Sequence, residues 1–240
     1  MYITQYDGEH SVIFGNKDSW KDWHLIPTSR PVFSPPEVKT NVVDVPGMDS
    51  GIDISEVLSG YPLYKNRTGS FEFIVDPDWK PWNILYSEIA NYLHGQYMRV
   101  ILTDDPSFFY EGRFSVNDWK SSAKNSSIVI SYDVEPYKRN VVGTLDEWIW
   151  DTFNFETDVI QNYKLLHVDG STVATIIGSA QRVSPIFTST SDMTIEFHGS
   201  TFPIKAGTHK IYGLTLGNGE NVLTIRGTGT ISIDYRGGSL

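Results

Sequence analysis

The sequence predicts a mainly β protein, with an N-terminal β-barrel or sandwich domain that carries one helix and a C-terminal β-sandwich after it. Three observations predict this. Aromatic residues are plentiful, with seven Trp, thirteen Tyr and twelve Phe beside many Thr, Ile and Val, a composition that favours strands over helices. Apolar residues alternate with a period of two in both halves, whereas a helical period stands out once. The length of 240 residues accommodates two modest domains.

In chain order, residues 23–36 contain four prolines and read as an extended segment that lies along a subunit surface. Residues 39–45 are a β-branched run ended by Pro46-Gly47. Residues 46–67 hold Gly47, Gly51, Gly60 and Pro62 and lack a long period; they are too many for a plain connection in a compact domain. This stretch is either a mobile insertion or an arm that packs on a partner. Residues 68–75 form a strand with Phe71, Phe73 and Val75 on one face, stopped at Asp76-Pro77. Trp82, Leu85, Tyr86, Ile89 and Leu93 recur at helical spacing and place the helix over about 81–94. Pro81 suits its first turn, and Gly95 ends it in a left-handed conformation.

Alternation then returns. Met98, Val100 and Leu102 share a face, Asp104-Asp105-Pro106 turns, and residues 108–116 run back as a hairpin partner. Ile128, Ile130, Tyr132 and Val134 close the first domain, and residues 136–140 are its exit. The domains are therefore expected over 1–140 and 141–240. In the second, strands are expected at residues 163–168, 173–177, 193–197, 210–216, 221–225 and 230–235. Asp169-Gly170, Gly217-Asn218-Gly219 and Gly227-Thr228-Gly229 read as the turns between them.

Composition narrows the function classes. The absence of cysteine excludes a disulfide scaffold, a thiolate metal site and a cysteine nucleophile. The formal net charge is −10, both halves are acidic, and no Lys/Arg cluster marks a specific nucleic-acid footprint. An acidic wall is compatible with DNA passing through a channel. The first residues carry neither a basic nor an apolar leader segment, and the apolar runs are too short to span a membrane, so no secretory signal and no membrane partner are expected.

Sites of chemistry are sparse. Asp76 and Asp78 flank Pro77, and Asp104-Asp105 precede Pro106. A glycosidase needs two carboxyls across a cleft, but Asp beside Pro is a common turn former, so these are read as turn residues. His10, His24, His94, His167, His198 and His209 are scattered, none at zinc-ligand spacing. No phosphate-binding loop is present. No catalytic residue, metal or cofactor is expected, and the protein is not read as an enzyme. Two binding surfaces remain. Trp148 and Trp150 alternate and would share a strand face that could stack a sugar ring, although filling a core or an interface is the preferred reading. Ile52, Ile54, Val57, Leu58, Tyr61, Leu63 and Tyr64 in the 46–67 stretch are apolar and aromatic residues that a solvated loop does not need. They are read as a subunit-interface arm.

One run of segments is distinctive in its order. Val43-Asp44-Val45-Pro46-Gly47-Met48-Asp49-Ser50-Gly51-Ile52-Asp53-Ile54-Ser55 precedes Tyr64-Lys65-Asn66-Arg67 and Ser70-Phe71-Glu72-Phe73. Leu93-His94-Gly95, Arg99-Val100-Ile101-Leu102, Asp104-Asp105-Pro106 and Tyr110-Glu111-Gly112-Arg113 follow, then Ser131-Tyr132-Asp133-Val134-Glu135-Pro136-Tyr137-Lys138 and the ending Ile231-Ser232-Ile233-Asp234-Tyr235-Arg236-Gly237-Gly238-Ser239-Leu240. Over most of the chain this order resembles the distal tail protein family of siphophages and related prophages.

The resemblance implies a virion structural protein at the tail tip, made in the bacterial host cytoplasm. It implies an N-terminal domain that forms a homo-hexamer ring and a galectin-like C-terminal sandwich on the outside. The implied partners are further copies of the chain, the major tail tube protein above, the tail-associated hub protein below, and receptor-binding proteins of the baseplate used in host adsorption. A galectin-like fold does not confer sugar binding. The alternatives are a carbohydrate-binding module of a tail or cell-surface protein, and a glycan-degrading enzyme. Solution mass and glycan binding separate them from a ring.

Overall fold

A computed structural model describes residues 6–76, 79–120, 126–143, 145 and 163–240. The chain is mainly β, and its described residues contain one α-helix. It divides into two compact units, the first running to Lys138 and the second from Arg139 to Ser239.

The first unit contains strands β1 (Val12–Phe14), β2 (Lys17–Asp18), β3 (Leu25–Pro27), β4 (Val42–Val43) and β5 (Ile52–Asp53). These are followed by β6 (Arg67–Val75), helix α1 (Trp82–Leu93), β7 (Gln96–Leu102), β8 (Phe108–Lys120), β9 (Ser126–Val134) and β10 (Lys138–Asn140), which reaches the boundary. The main sheet runs β2-β1-β7-β8-β9-β6-β3, antiparallel at each pairing. Period-two patterning sets its core. Phe71 and Phe73 of β6 stand opposite Ile130 and Ile128 of β9, and all four are buried. A bulge between Val116 and Asp118 shifts the register near the end of β8.

The helix covers this core with part of the stripe that its spacing predicts, while Tyr86 stays exposed and Trp82 is half-buried. Leu85, Ile89 and Leu93 are buried, and Pro81 sits at the N-cap position. Gly95 has φ of 75° and donates its N–H to Phe114 O at 2.7 Å, so the chain turns straight into the sheet. The Tyr92 hydroxyl donates to Phe14 O at 2.9 Å, which ties the helix to β1. Beneath it Phe14 meets Phe114 edge to face at 5.5 Å between centroids, and Trp23 is fully buried beside them.

The second unit contains β11 (Leu166–Gly178), β12 (Ile186–Ser189), β13 (Met193–Phe197), β14 (Ser200–Ile204), β15 (Gly207–Lys210), β16 (Gly219–Asp234) and β17 (Gly238–Ser239). Its sheet runs β14-β13-β16-β12-β15, with β11 along the other edge of β16. Two glycine sites expected to be turns lie inside strands. β11 and β16 pair continuously from Leu166↔Ile231 to Gly178↔Gly219, with Gly170 opposite Gly227. The glycines bend the strand pair where β16 changes neighbours: its Thr224–Gly227 part faces β13 and its Ile231–Asp234 part faces β12. Gly227 (φ 149°) and Gly229 (φ 141°) take backbone angles that L side chains rarely adopt.

The expected strand over 210–216 is also corrected. β15 ends at Lys210; Leu214 N–H then turns back to Ile211 O, and Leu214 and Leu216 drop fully into the core. Besides β17, two strands of this unit carried no expectation, β12 and β14. The latter keeps Pro203 on a sheet edge, where its missing N–H is tolerated.

The corner at Gly227 generates a prediction. A Cβ there would meet Met193 Cγ at 2.8 Å as well as the strained φ. Gly227→Ala should destabilise the second unit by about 1–3 kcal/mol, read as a lower urea midpoint at unchanged m-value. An unchanged midpoint would show that the partner exchange does not depend on this corner.

Candidate functional site

The most distinctive surface lies between β3 and β6. Pro36 leads into an antiparallel ribbon that includes residues 37–65. At its root Lys65 N–H donates to Glu37 O at 2.8 Å and Lys39 N–H to Leu63 O at 2.7 Å, around the isolated bridge Val38↔Tyr64. Farther out, Ile54 N–H donates to Asn41 O at 2.9 Å, and β4 pairs with β5 through Val42↔Asp53 and Val43↔Ile52. The tip turns at Pro46-Gly47, with Gly47 at φ 89° and Met48 N–H on Val45 O, as a type II turn requires. A second loop bulges between Ile54 and Tyr61, closed by Gly60 N–H on Glu56 O at 2.7 Å.

The ribbon is therefore wider than the 46–67 stretch read from the sequence. Residues 37–45 form its other side, and Arg67 already belongs to β6. The seven apolar residues singled out there all lie on it. Ile52, Val57, Leu58 and Leu63 are exposed, Leu58 completely at 101% and Val57 at 72%. Ile54, Tyr61 and Tyr64 are half-buried, with Tyr64 edge-on to Tyr137 at 5.9 Å. Val38, Val42, Val43 and Met48 add further exposed apolar surface. None of these residues belongs to the core of the first unit. Two backbones hydrogen-bonded to each other keep the ribbon extended while its side chains stay open to solvent. The ribbon thus holds a concentration of apolar groups in solvent.

The carboxylates considered for catalysis have structural partners. Asp104 accepts from His10 Nδ1 at 2.8 Å and from Arg30 Nε at 2.8 Å, which ties three distant segments together. Asp105 accepts from Lys138 Nζ at 2.7 Å. Asp76 lies 3.4 Å from His24 Nδ1, and the His24 ring stacks on Trp79 with centroids 3.7 Å apart. Asp78, Trp148 and Trp150 lie outside the described residues. No group of three or more His, Cys, Asp or Glu poised to hold a metal ion occurs among the described residues. None of their helices is long and apolar enough to cross a membrane.

The fold is that of a two-unit, mainly β chain that carries an exposed apolar ribbon. Over its whole length this architecture is similar to the solved structure of SPP1 Dit (gp 19.1), described as a paradigm of the hub adsorption apparatus in phages that infect Gram-positive bacteria. The TM-score is 0.62 at 14% sequence identity, and the match covers 96% of this chain and 99% of that one. No family model and no curated protein matches the chain.

The Asp104 cluster gives a pH prediction. Burial works to raise its pKa, but the hydrogen bonds from His10 and Arg30 and their charges outweigh burial and hold the carboxyl below its ordinary value. A depressed carboxyl stabilises the fold above its unfolded pKa, about 3.9, and that contribution is lost as pH falls through the folded value. Asp104→Asn should cost on the order of 1 kcal/mol near pH 7 and progressively less as pH falls below about 3.9 and through the lower folded value. Urea melts at neutral and at low pH read the difference; an equal cost at both would refute the assignment.

Proposed function

We propose that this chain is a structural distal tail protein of a long-tailed bacteriophage or prophage. On this reading residues 1–140 close into a hexameric ring at the tail tip. The ring joins the tail tube to the tail-associated hub and carries the adsorption apparatus, and DNA passes through it. Residues 141–240 form a galectin-like β-sandwich that offers an attachment surface for receptor-binding proteins. The observation that carries the reading is the likeness to SPP1 Dit over 96% of this chain and 99% of that one. A single widely shared β domain would not produce a match over the whole of both chains.

The ribbon supplies the physical means. A ring needs head-to-tail contacts between different surfaces that close on themselves. An element projecting from one copy meets that need when it lies on the next copy. Burying what remains exposed of four ribbon side chains such as Ile52, Val57, Leu58 and Leu63 would contribute about 4–8 kcal/mol before ordering costs. The ribbon is already hydrogen-bonded to itself, so less backbone entropy is lost on docking than for a disordered arm. The role asks for no nucleophile, metal or cofactor.

Three outcomes are expected. Purified chain, alone or with the tail tube protein, should assemble into annuli with a central hole, seen by negative-stain microscopy and by solution mass. A strict monomer under both conditions would sink the ring. Val57→Asp combined with Leu58→Asp should leave the circular dichroism spectrum unchanged and the unfolding free energy within about 0.5 kcal/mol of the parent, as exposed substitutions do, and should abolish assembly. A double variant that assembles normally would remove the ribbon from the interface. Finally, the chain should release no sugar or peptide from bacterial cell wall; release that disappears in Asp104→Asn would turn the reading toward catalysis.

A further inference from the structure

Arg67, the first residue of β6, is 5% exposed, and no carboxylate pairs with it among the described residues. Its guanidinium is instead met by backbone. Nε donates to Pro136 O at 2.8 Å and Nη1 to Ser34 O at 3.0 Å, while the group lies 5.6 Å from the Tyr110 ring centroid. Nη2 is buried without a hydrogen-bond partner. Burial pushes the Arg67 pKa down, against the opposing influence of Tyr110 and Tyr132, yet an arginine stays charged. An enclosed cation satisfied by carbonyls alone is a poor device for stability, because desolvation offsets most of the attraction.

What the group does well is join segments at a fixed angle, since its donors are set in a rigid plane. Three segments meet here. Ser34 lies just before the outgoing side of the ribbon, Arg67 just after the returning side, and Pro136 opens the exit from the first unit. Supporting contacts surround the fork. Ser34 N–H donates to the Tyr132 hydroxyl at 3.0 Å and Ser34 Oγ to Thr68 O at 2.8 Å, while Asn66 Nδ2 donates to Asp133 Oδ1 at 2.7 Å. Pro35 and Pro36 follow Ser34 directly, and two consecutive prolines make a stiff stem. An anchor at Ser34 therefore sets the direction of the strand that follows.

We propose that Arg67 is the positioning residue of the ribbon: its guanidinium locks both ribbon roots to the exit segment and so fixes the direction in which the ribbon projects. The purpose of that direction rests on the reading of the ribbon as an assembly element; the anchoring itself does not.

Amide hydrogen exchange on the full chain, at concentrations where it is monomeric, tests the proposal. In Arg67→Met the amides of Lys39 and Lys65, the rungs at the ribbon root, should exchange at least about tenfold faster, the scale set by losing hydrogen bonds to a charged group. The paired amides of β6 and β9 around Phe71 and Ile130 should keep their protection. Unchanged exchange at Lys39 and Lys65 would overturn the proposal. So would an equal loss throughout β6 and β9, which would make Arg67 a support of the fold as a whole. If Arg67→Met does not fold, Arg67→Lys carries the same test with the same two readings, since it keeps the charge and loses the fork. The solution mass of the parent chain, measured separately, judges the assembly reading: a chain that never assembles but shows faster exchange at the ribbon root in the variant would retain the anchor and lose the ring.

Discussion

The antiparallel pairing of β6 with β9 sets the geometry of the first unit, from Arg67↔Val134 at one end to Val75↔Ser126 at the other. Side chains alternate across a strand, so a slip of one residue would turn Phe71 and Phe73 out of the core and leave Ile128 and Ile130 facing nothing. The same register brings the start of β6 beside the end of β9. That coincidence places the ribbon roots, which flank β6, next to the exit segment, which follows β9. A hydrophobic requirement in the middle of the sheet thus decides the position of a polar junction at its end.

The helix and the ribbon illustrate opposite uses of apolar residues. On α1 the stripe of Leu85, Ile89 and Leu93 is consumed by the core, with Tyr92 adding a hydrogen bond to β1. On the ribbon, Val57 and Leu58 remain in solvent. The difference lies in how the segments are closed. The helix lies across the sheet and ends at Gly95, whose amide is bound to Phe114. The ribbon satisfies its own backbone through Lys39, Ile54 and Lys65, so it has no need of the sheet and carries its side chains away from it.

The second unit is organised by one strand. β16 is long enough to serve β11 along one edge and both β13 and β12 along the other. Two glycines with positive φ let it turn between its neighbours without interrupting the ladder to β11. Asn221, buried at its start, satisfies its side-chain amide on Gly217 and Gly219 carbonyls and accepts from Gly217 N–H, so the polar group serves the adjoining turn and leaves no orphan in the core.

The sequence by itself determined the β class, the helix over Trp82–Leu93 with its end at Gly95, the alternation of Ile128 to Val134, and the unusual apolar content of the segment before β6. Each is a local signal, because the spacing of side chains along a few residues states which face is buried. Only the tertiary structure decided whether a glycine pair turns a chain or bends a strand: Gly170 and Gly227 look like turn residues until β11 and β16 are seen to face each other. It also supplied the other half of the ribbon, joined Asp104 to His10 across 94 positions, and enclosed Arg67 between Ser34 and Pro136. These are pairings between residues far apart in the chain. They arise from strand register and from the way the sheet folds over its core, and no local periodicity encodes them.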